Sequence, residues 1–450
     1  MRDIIITLLV FGAMPFILTR PHIGVIMWSW LGFMNPHRLT WGFAYNFPFA
    51  QAVGIATLVG VLLSKERKQV PWTALTITWI LFIVWMNLTT IFAIYPGDAF
   101  QEWDRTMKIM LFSFVTILVM AKPERINALV WTIVFSLGFF GVKGGIFAVL
   151  TGGNYRVYGP EGSFIEDNNA LALALIMILP LMRYLQIITK HRLVYWGFIA
   201  AMGLTALSIL SSHSRGAFLA GASMVIFLWL KSQHKLWMGI ALLVIIPALL
   251  STMPEKWFDR MDTIETYEED SSAMGRINAW WFAYNLAKDR PLIGGGFQTF
   301  SPELFLLYAP DPEDFHDSHS IYFEVLAEQG FIGLALFLTL GILAFRTGTR
   351  IIHSTRDNNE LLWAYHLAAM LQVSLVGYAV GGAFLGLAYF DLYYSLIALL
   401  VLLRLVIEKD ITTIELTNDD NDKKEISIVD RGASYDDFNK NQIYKESKLR

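Results

Sequence analysis

There is no cysteine among the 450 residues. Thiol nucleophiles, disulfides, iron–sulfur ligation and cysteine-based zinc sites are therefore excluded together. Charge is scarce as well. Asp, Glu, Lys and Arg make up 16% of the chain and the formal net charge is −3, which provides no basic surface of the size that nucleic acid requires. What is present instead is apolar: 55% of residues are hydrophobic and the mean hydropathy is +0.47. That composition does not cover a water-soluble surface. The first segment, Asp3 to Thr19, has one nearby Arg and no small-residue cleavage site, so it reads as a retained helix and not as a signal peptide.

Apolar runs reach the roughly 20 residues that cross a bilayer. Candidate spans are 3–19, 22–34, 46–63, 72–94, 106–121, 126–150, 169–189, 194–211, 216–230, 236–252, 321–345, 361–386 and 388–407, which gives about 12 transmembrane helices, 12 or 13. The fold class expected is an all-α polytopic integral membrane protein. The short loops around Lys65, Arg67, Lys122, Arg125, Lys190, Arg192, Lys231, Lys235, Arg346 and Arg350 fall on one side, cytoplasmic by the positive-inside rule. Arg156 and Arg215 fall on the other side, where topology alone does not require them. The expected organisation is an N-terminal transmembrane bundle over 1–252, a long outer loop or cap over 253–320, C-terminal transmembrane helices over 321–407 and a disordered cytoplasmic tail over 408–450. The cap has 13 acids to 5 bases, and its periodic piece Ala273 to Asp289, with Met274, Ile277, Trp281, Tyr284 and Leu286 at helical spacing, stops at Pro291 and Gly294-Gly295-Gly296.

Four constellations can carry chemistry. Ser212-His213-Ser214-Arg215-Gly216 puts a guanidinium at the outer end of a span, where its planar fork suits phosphate; snorkelling to headgroups or pairing with an acid is the plainer role. Gly275-Arg276 leads into Trp280, Trp281 and Tyr284, a cation beside aromatic faces fit for a sugar or a lipid-linked phosphate, or else a packing face whose arginine meets Glu269 or Asp270. His316-Asp317-Ser318-His319-Ser320 offers imidazoles for proton exchange near neutral pH, with helix capping by Ser318 or Ser320 a compatible role and no recognisable zinc-site spacing. Finally, Lys143 lies inside a predicted span, followed by Arg156 and by Glu166-Asp167-Asn168-Asn169; intramembrane ionisable groups face a cavity or a partner. Asp391 is a further outer acid able to orient a base or pair with an arginine.

Many spans, one long outer loop late in the chain, Ser214-Arg215-Gly216, Gly275-Arg276 with Trp280, and Asp317-Ser318-His319-Ser320 together resemble the O-antigen ligase and polymerase superfamily. Met34-Asn35-Pro36-His37-Arg38-Leu39-Thr40-Trp41-Gly42, Phe164-Ile165-Glu166-Asp167-Asn168-Asn169 and His316-Asp317-Ser318-His319-Ser320-Ile321-Tyr322 resemble its exosortase-A-associated O-glycosylation ligase branch, which is linked to exopolysaccharide systems. The resemblance implies a metal-independent membrane glycosyltransferase with a helical periplasmic loop domain, sited in the bacterial inner membrane with its active site facing the periplasm. It implies an undecaprenyl-pyrophosphate-linked glycan as donor and a protein, lipid or polysaccharide as acceptor, with membrane lipids around it and no cofactor, metal or nucleic acid. Carried over by motif, Arg215 and Arg276 bind the diphosphate and His319 serves the acceptor hydroxyl, with His316 as rival base. Lys143, Arg156 and Asp391 join the substrate-binding set by sidedness alone. A polysaccharide polymerase of the same superfamily is the nearest alternative. A lipid-linked sugar transporter or flippase, or a scaffold for glycan enzymes, comes after it; matched halves with broken helices at the midplane, expected of a transporter, are not seen in the sequence.

Overall fold

The computed structural model describes residues 1–66, 68–232, 234–262 and 271–409. Residues 1–403 form one compact unit. The expected tail lies outside the described residues from 410 onward, as do Arg67, Glu269 and Asp270. Among the described residues there is no strand. The helices in chain order are α1 (Arg2–Thr19), α2 (Pro21–Met34), α3 (Phe49–Leu63), α4 (Ala74–Ile91), α5 (Pro96–Val119), α6 (Pro123–Thr151), α7 (Asn168–Ile188), α8 (Arg192–Leu210), α9 (Arg215–Lys231), α10 (Lys235–Leu250), α11 (Glu255–Asp262), α12 (Ser271–Asp289), α13 (Pro302–Tyr308), α14 (Ile321–Thr355), α15 (Leu362–Gly381) and α16 (391–409).

Among the described residues, seven helices are long and apolar enough to cross a membrane, or eight if α10 and α11, bent by 112° at a short break, make one broken span. Every apolar run of the sequence is helical, but α2, α3, α9 and α10 have only 14, 15, 17 and 16 residues. Helical membrane protein is thus the supported class, and the helix lengths do not by themselves give the expected 12 or 13 spans.

The bundle is centred on α7, of which 16 of 21 residues are buried. Its sequence has no charged residue on the buried face, and neighbours reach it across small residues. A Cβ on Gly381 of α15 would lie 2.6 Å from Leu173, and one on Gly377 2.9 Å from Ile176. The same device joins α6 to α8: a Cβ on Gly145 would lie 2.1 Å from the Leu204 carbonyl oxygen, and one on Gly144 2.3 Å from Ser208 Oγ. Glycine lets the backbones approach to a distance at which dispersion and weak polar contacts hold the helices without a hydrophobic driving force from lipid.

Helix α12 forms where periodicity predicts it, but with a different inner face. Ala279, Phe282, Ala283 and Leu286 are buried against Leu304 and Phe305 of α13 and Ala327 of α14. Of the expected face only Leu286 belongs to this core, while Met274, Trp281 and Tyr284 are more than 40% exposed. Large amphipathic aromatics pass for core residues by hydropathy, whereas close approach to α14 favours the Ala279 and Ala283 side. Ser320 precedes α14 as expected, yet its side chain makes no capping bond.

Helix α14 is broken at Gly330 (φ 68°, ψ −173°). The amides of Gly295 and Gly296 donate to the carbonyls of Ala327 (2.8 Å) and Glu328 (2.9 Å), and Phe331 N donates to Pro291 O at 2.9 Å. The Pro291–Gly296 turn thus occupies hydrogen-bonding positions that the break in α14 leaves open. A Cβ on Gly330 would stand 2.3 Å from the Leu292 carbonyl oxygen, in a backbone region essentially reserved for glycine. Gly330→Ala is therefore expected to cost about 3 kcal/mol or more, read as a lower thermal midpoint of the detergent-solubilised protein. Gly12→Ala, where a Cβ meets nothing within 4 Å, is the control; equal midpoints for the two variants would contradict the docking of this turn.

Candidate active site

Helix α12 holds the histidine loop by its backbone. Asn278 Nδ2 donates to the carbonyls of Asp311 (2.7 Å) and Asp314 (2.9 Å), and its Oδ1 accepts from Asp311 N at 2.9 Å. Trp280 Nε1 donates to Ser318 O at 2.9 Å, and its ring stacks on Phe323 at 5.1 Å. Gly275 supplies the space for His316: a Cβ there would lie 2.5 Å from the imidazole Cε1. His316 Nδ1 also lies 3.2 Å from Asp314 Oδ1. The glycine of Gly275-Arg276 is thus required by packing, and the arginine follows it on the same helix.

His319 has φ 41°, a left-handed conformation that costs a non-glycine residue about 1 kcal/mol or more. Among the described residues four non-glycine residues have positive φ: Asn35, His213, Gln298 and His319. His213 lies two residues before Arg215, and both Gln298 and His319 line one cavity of about 360 Å³. Backbone strain of this kind persists where the surroundings over-determine it, and it concentrates at sites of function.

The walls of that cavity come from six parts of the chain, the 317–319 loop being one. Helix α5 gives Glu102 and Arg105, the segment entering α7 gives Phe164 and Asp167, the turn after α12 gives Gln298 and Phe300, and residues 385–390 close the far side with Gly386, Tyr389 and Phe390. Glu324 and Glu328 of α14 complete it. Glu328 is buried and fully engaged, its Oε1 accepting from Gln298 N (2.9 Å) and its Oε2 from Tyr389 O–H (2.8 Å). Glu324 Oε2 accepts from Ala388 N at 3.0 Å.

Of the residues expected in the site, only His319 lines this cavity among the described residues. Arg276, half-buried on α12, is near enough for its charge to act on the His319 ring. Arg215 is the first residue of α9 and is buried. Its turn is fixed from three sides: Ser214 caps α9 by accepting from Ala217 N, Asn168 Nδ2 donates to Ser212 O at 2.7 Å, and Arg260 Nε donates to His213 O at 2.9 Å. Asn168 follows Asp167 of the cavity wall, so α7 ties this turn to the cavity. His316 stacks on Gly275 outside the cavity lining. Lys143 is exposed in a groove with Val134, Phe139, Met182 and Phe198, and Arg156 is exposed in the loop before α7; neither lines the cavity with His319. Asp391 is buried and lines a second cavity, of about 620 Å³, that shares Arg105 and Phe164 with the first. Glu102, Arg105 and Glu328 were not singled out by the sequence. The rule that points to Lys143, an ionisable residue within an apolar span, applies equally to Glu328.

Burial lowers the His319 pKa below the ordinary histidine value of 6.5, the Arg276 charge and His316 lower it further, and Asp317 and Asp167 act to raise it. The ring is thereby kept neutral at neutral pH, with a lone pair to accept a proton.

Residues 1–190 match the family model described as a family of unknown function (DUF5935), and residues 200–338 match the one described as O-antigen ligase. The second stretch contains Arg215, Arg276, His316 and His319 and supports the O-antigen ligase superfamily, and with it a membrane glycan ligase or polymerase. No curated protein matches the chain.

His319 is expected to titrate below 6.5. Arg276→Gln removes a lowering influence and should move the midpoint up, whereas Asp317→Asn removes a raising influence and should move it down. Nitrogen NMR of histidine-labelled protein, assigned with His319→Gln, reads both shifts; shifts of the opposite sign would refute this electrostatic account.

Proposed function

We propose that the protein is a glycan ligase of the bacterial inner membrane, in which the 253–320 segment forms a helical cap on the periplasmic face. The donor is a glycan on an undecaprenyl-pyrophosphate carrier and the acceptor is a hydroxyl of a protein, lipid or polysaccharide, in the manner of the exosortase-A-associated branch. The observation that carries the reading is a strained histidine in a cavity, with the Arg276 charge upon it, inside the stretch that matches the O-antigen ligase model.

The acceptor oxygen attacks the anomeric carbon while the bond from that carbon to the phosphate oxygen breaks. The bonding pair leaves with the diphosphate, and the acceptor proton passes to His319. Arg215 and Arg276 hold the diphosphate, whose negative charge grows as the bond lengthens, and two oriented guanidinium forks stabilise that charge most in the transition state. His316, packed on Gly275, positions Arg276 and the loop. Lys143 and Arg156 are exposed and do not line this cavity. A polymerase differs only in taking another lipid-linked unit as acceptor.

The test is transfer by the full-length protein in nanodiscs from a polyprenyl-diphosphate glycan to acceptors supplied singly. His319→Ala should slow transfer by about 100-fold or more. Arg276→Lys and Arg215→Lys should recover little of the loss seen with alanine, because the ammonium group cannot form the paired bonds. Chelator is expected to leave the rate unchanged. Product ladders from donor alone would establish a polymerase, and an active His319→Ala protein would remove the base from the mechanism.

A further inference from the structure

The cavity beside His319 differs in charge from what a diphosphate site needs. Five carboxyl side chains line it, Glu102, Asp167, Asp317, Glu324 and Glu328, against the single guanidinium of Arg105. That guanidinium is already shared: its Nη1 lies 3.8 Å from Glu102, its Cζ sits 3.3 Å from the Phe164 ring centroid, and Asp391 acts on it from the other side. Among the described lining residues a phosphate placed here would find no unshared guanidinium to pair with.

Much of the cavity's hydrogen-bonding capacity is already taken. Both Glu328 oxygens are taken by Gln298 N and Tyr389 O–H. Glu324 uses Oε2 on Ala388 N, and Asp167 uses Oδ1 to cap α7 through Asn169 N and Ala170 N. The hydrogen bonds among the described residues leave Glu324 Oε1, Asp167 Oδ2 and the Asp317 carboxylate open. Carboxylate oxygens only accept, so their complement is a set of O–H or N–H donors. The groups line the walls and do not converge as metal ligands would. Phe164, Phe300 and Phe390 add flat apolar faces between them, suited to the C–H faces of a sugar ring.

A second observation lies past Arg105. The adjoining cavity of about 620 Å³ is lined by Asp391, which is 7% exposed and whose Oδ1 has no hydrogen-bond partner. A buried carboxylate oxygen without a donor is costly unless a ligand supplies one. The two spaces share Arg105 and Phe164, so a chain of sugar units entering the first has a further acceptor group ahead of it.

We propose that the His319 cavity is the acceptor subsite, and that it selects an uncharged, hydroxyl-rich sugar unit while excluding acceptors that carry phosphate or carboxylate at that unit. The inference rests on the ligase reading and deepens it. Donor and acceptor then meet His319 from opposite sides, the diphosphate from the side of Arg215 and Arg276 and the sugar hydroxyl from the carboxylate side. Part of the acceptor wall, Glu102, Arg105, Phe164, Asp167 and Ala170, lies in residues 1–190 and outside the O-antigen ligase match, so acceptor choice is set in part by a different stretch of the chain from the arginines and histidine.

The experiment offers the nanodisc-embedded protein a polyprenyl-diphosphate glycan with four size-matched probes: methyl glucoside, methyl glucosaminide, methyl glucuronide and methyl glucoside 6-phosphate. The glucoside should be used with kcat/KM on the order of 100-fold above the glucuronide and the phosphate. Asp317→Asn, on an exposed loop residue, and Glu324→Gln should each raise KM for the glucoside and narrow that gap by about 10-fold. Equal use of charged and uncharged probes by the wild type would overturn the proposal. So would an unchanged gap in Asp317→Asn, or a preference for the glucosaminide that marks a cation site. If no probe is glycosylated at all, the ligase reading fails separately, and saturation-transfer NMR with the same four probes decides the subsite. Glucoside binding that weakens in Asp317→Asn upholds it, and binding that is absent or indifferent to probe charge overturns it.

Discussion

The break at Gly330 is the constraint on which the rest of the site depends. In an unbroken helix the carbonyls of Ala327 and Glu328 accept from the residues four positions on. Here they accept from Gly295 and Gly296, and the Gln329 carbonyl accepts from Trp85 Nε1 at 2.9 Å. A carbonyl without a donor inside an apolar bundle costs several kcal/mol, so the broken helix and the glycine turn stabilise one another and neither persists alone. From this junction the bonding runs outward: Thr89 to Gln329, Gln329 to Tyr389, Tyr389 to Glu328, and Glu328 to Gln298. Helix α4, the turn after α12, α14 and the 385–390 segment are thereby fixed in one register, and the cavity is the space they enclose.

That frame explains why a buried carboxylate is tolerated at Glu328. Its two oxygens receive one donor each, one from backbone and one from a phenol, so neither is left without a hydrogen bond in the bundle. The group therefore ties the 294–300 turn to the 385–390 segment. Glu324, one turn earlier on the same face, is held through a single oxygen. The i, i+4 spacing thus separates a structural carboxylate from one with capacity to spare, and that capacity faces His319's cavity.

Much of this was legible in the sequence where local rules decide. The helices lie where the apolar runs lie, α12 ends at the predicted breaker, and the motif histidine lines a cavity. What was not legible depends on packing between distant segments. Met274, Trp281 and Tyr284 fit a helical period but are exposed, because Ala279 and Ala283 allow the closer approach to α13 and α14. Gly144 and Gly145 turn α6 so that its glycine face meets α8, which leaves Lys143 outward. Glu102 and Arg105 look like the soluble end of α5 and become cavity walls only because Phe164 and the 385–390 segment come to them.

Helix α12 couples the two halves of the proposed chemistry. Gly275, Arg276, Asn278 and Trp280 fall within less than two turns of it, and three of them grip the histidine loop: Gly275 by receiving the His316 ring, Asn278 by two carbonyls, Trp280 by a third. Arg276 and His319 are consequently carried on one element and its strapped loop, so a displacement of α12 moves the cation and the base together. Apart from Asp317 on that loop, the carboxyl groups of the cavity wall belong to α5, the N-cap of α7 and α14 instead. Helix α12 thus fixes the placement of Arg276 relative to the His319 loop, whereas Arg215 is placed by α9 and its capped turn.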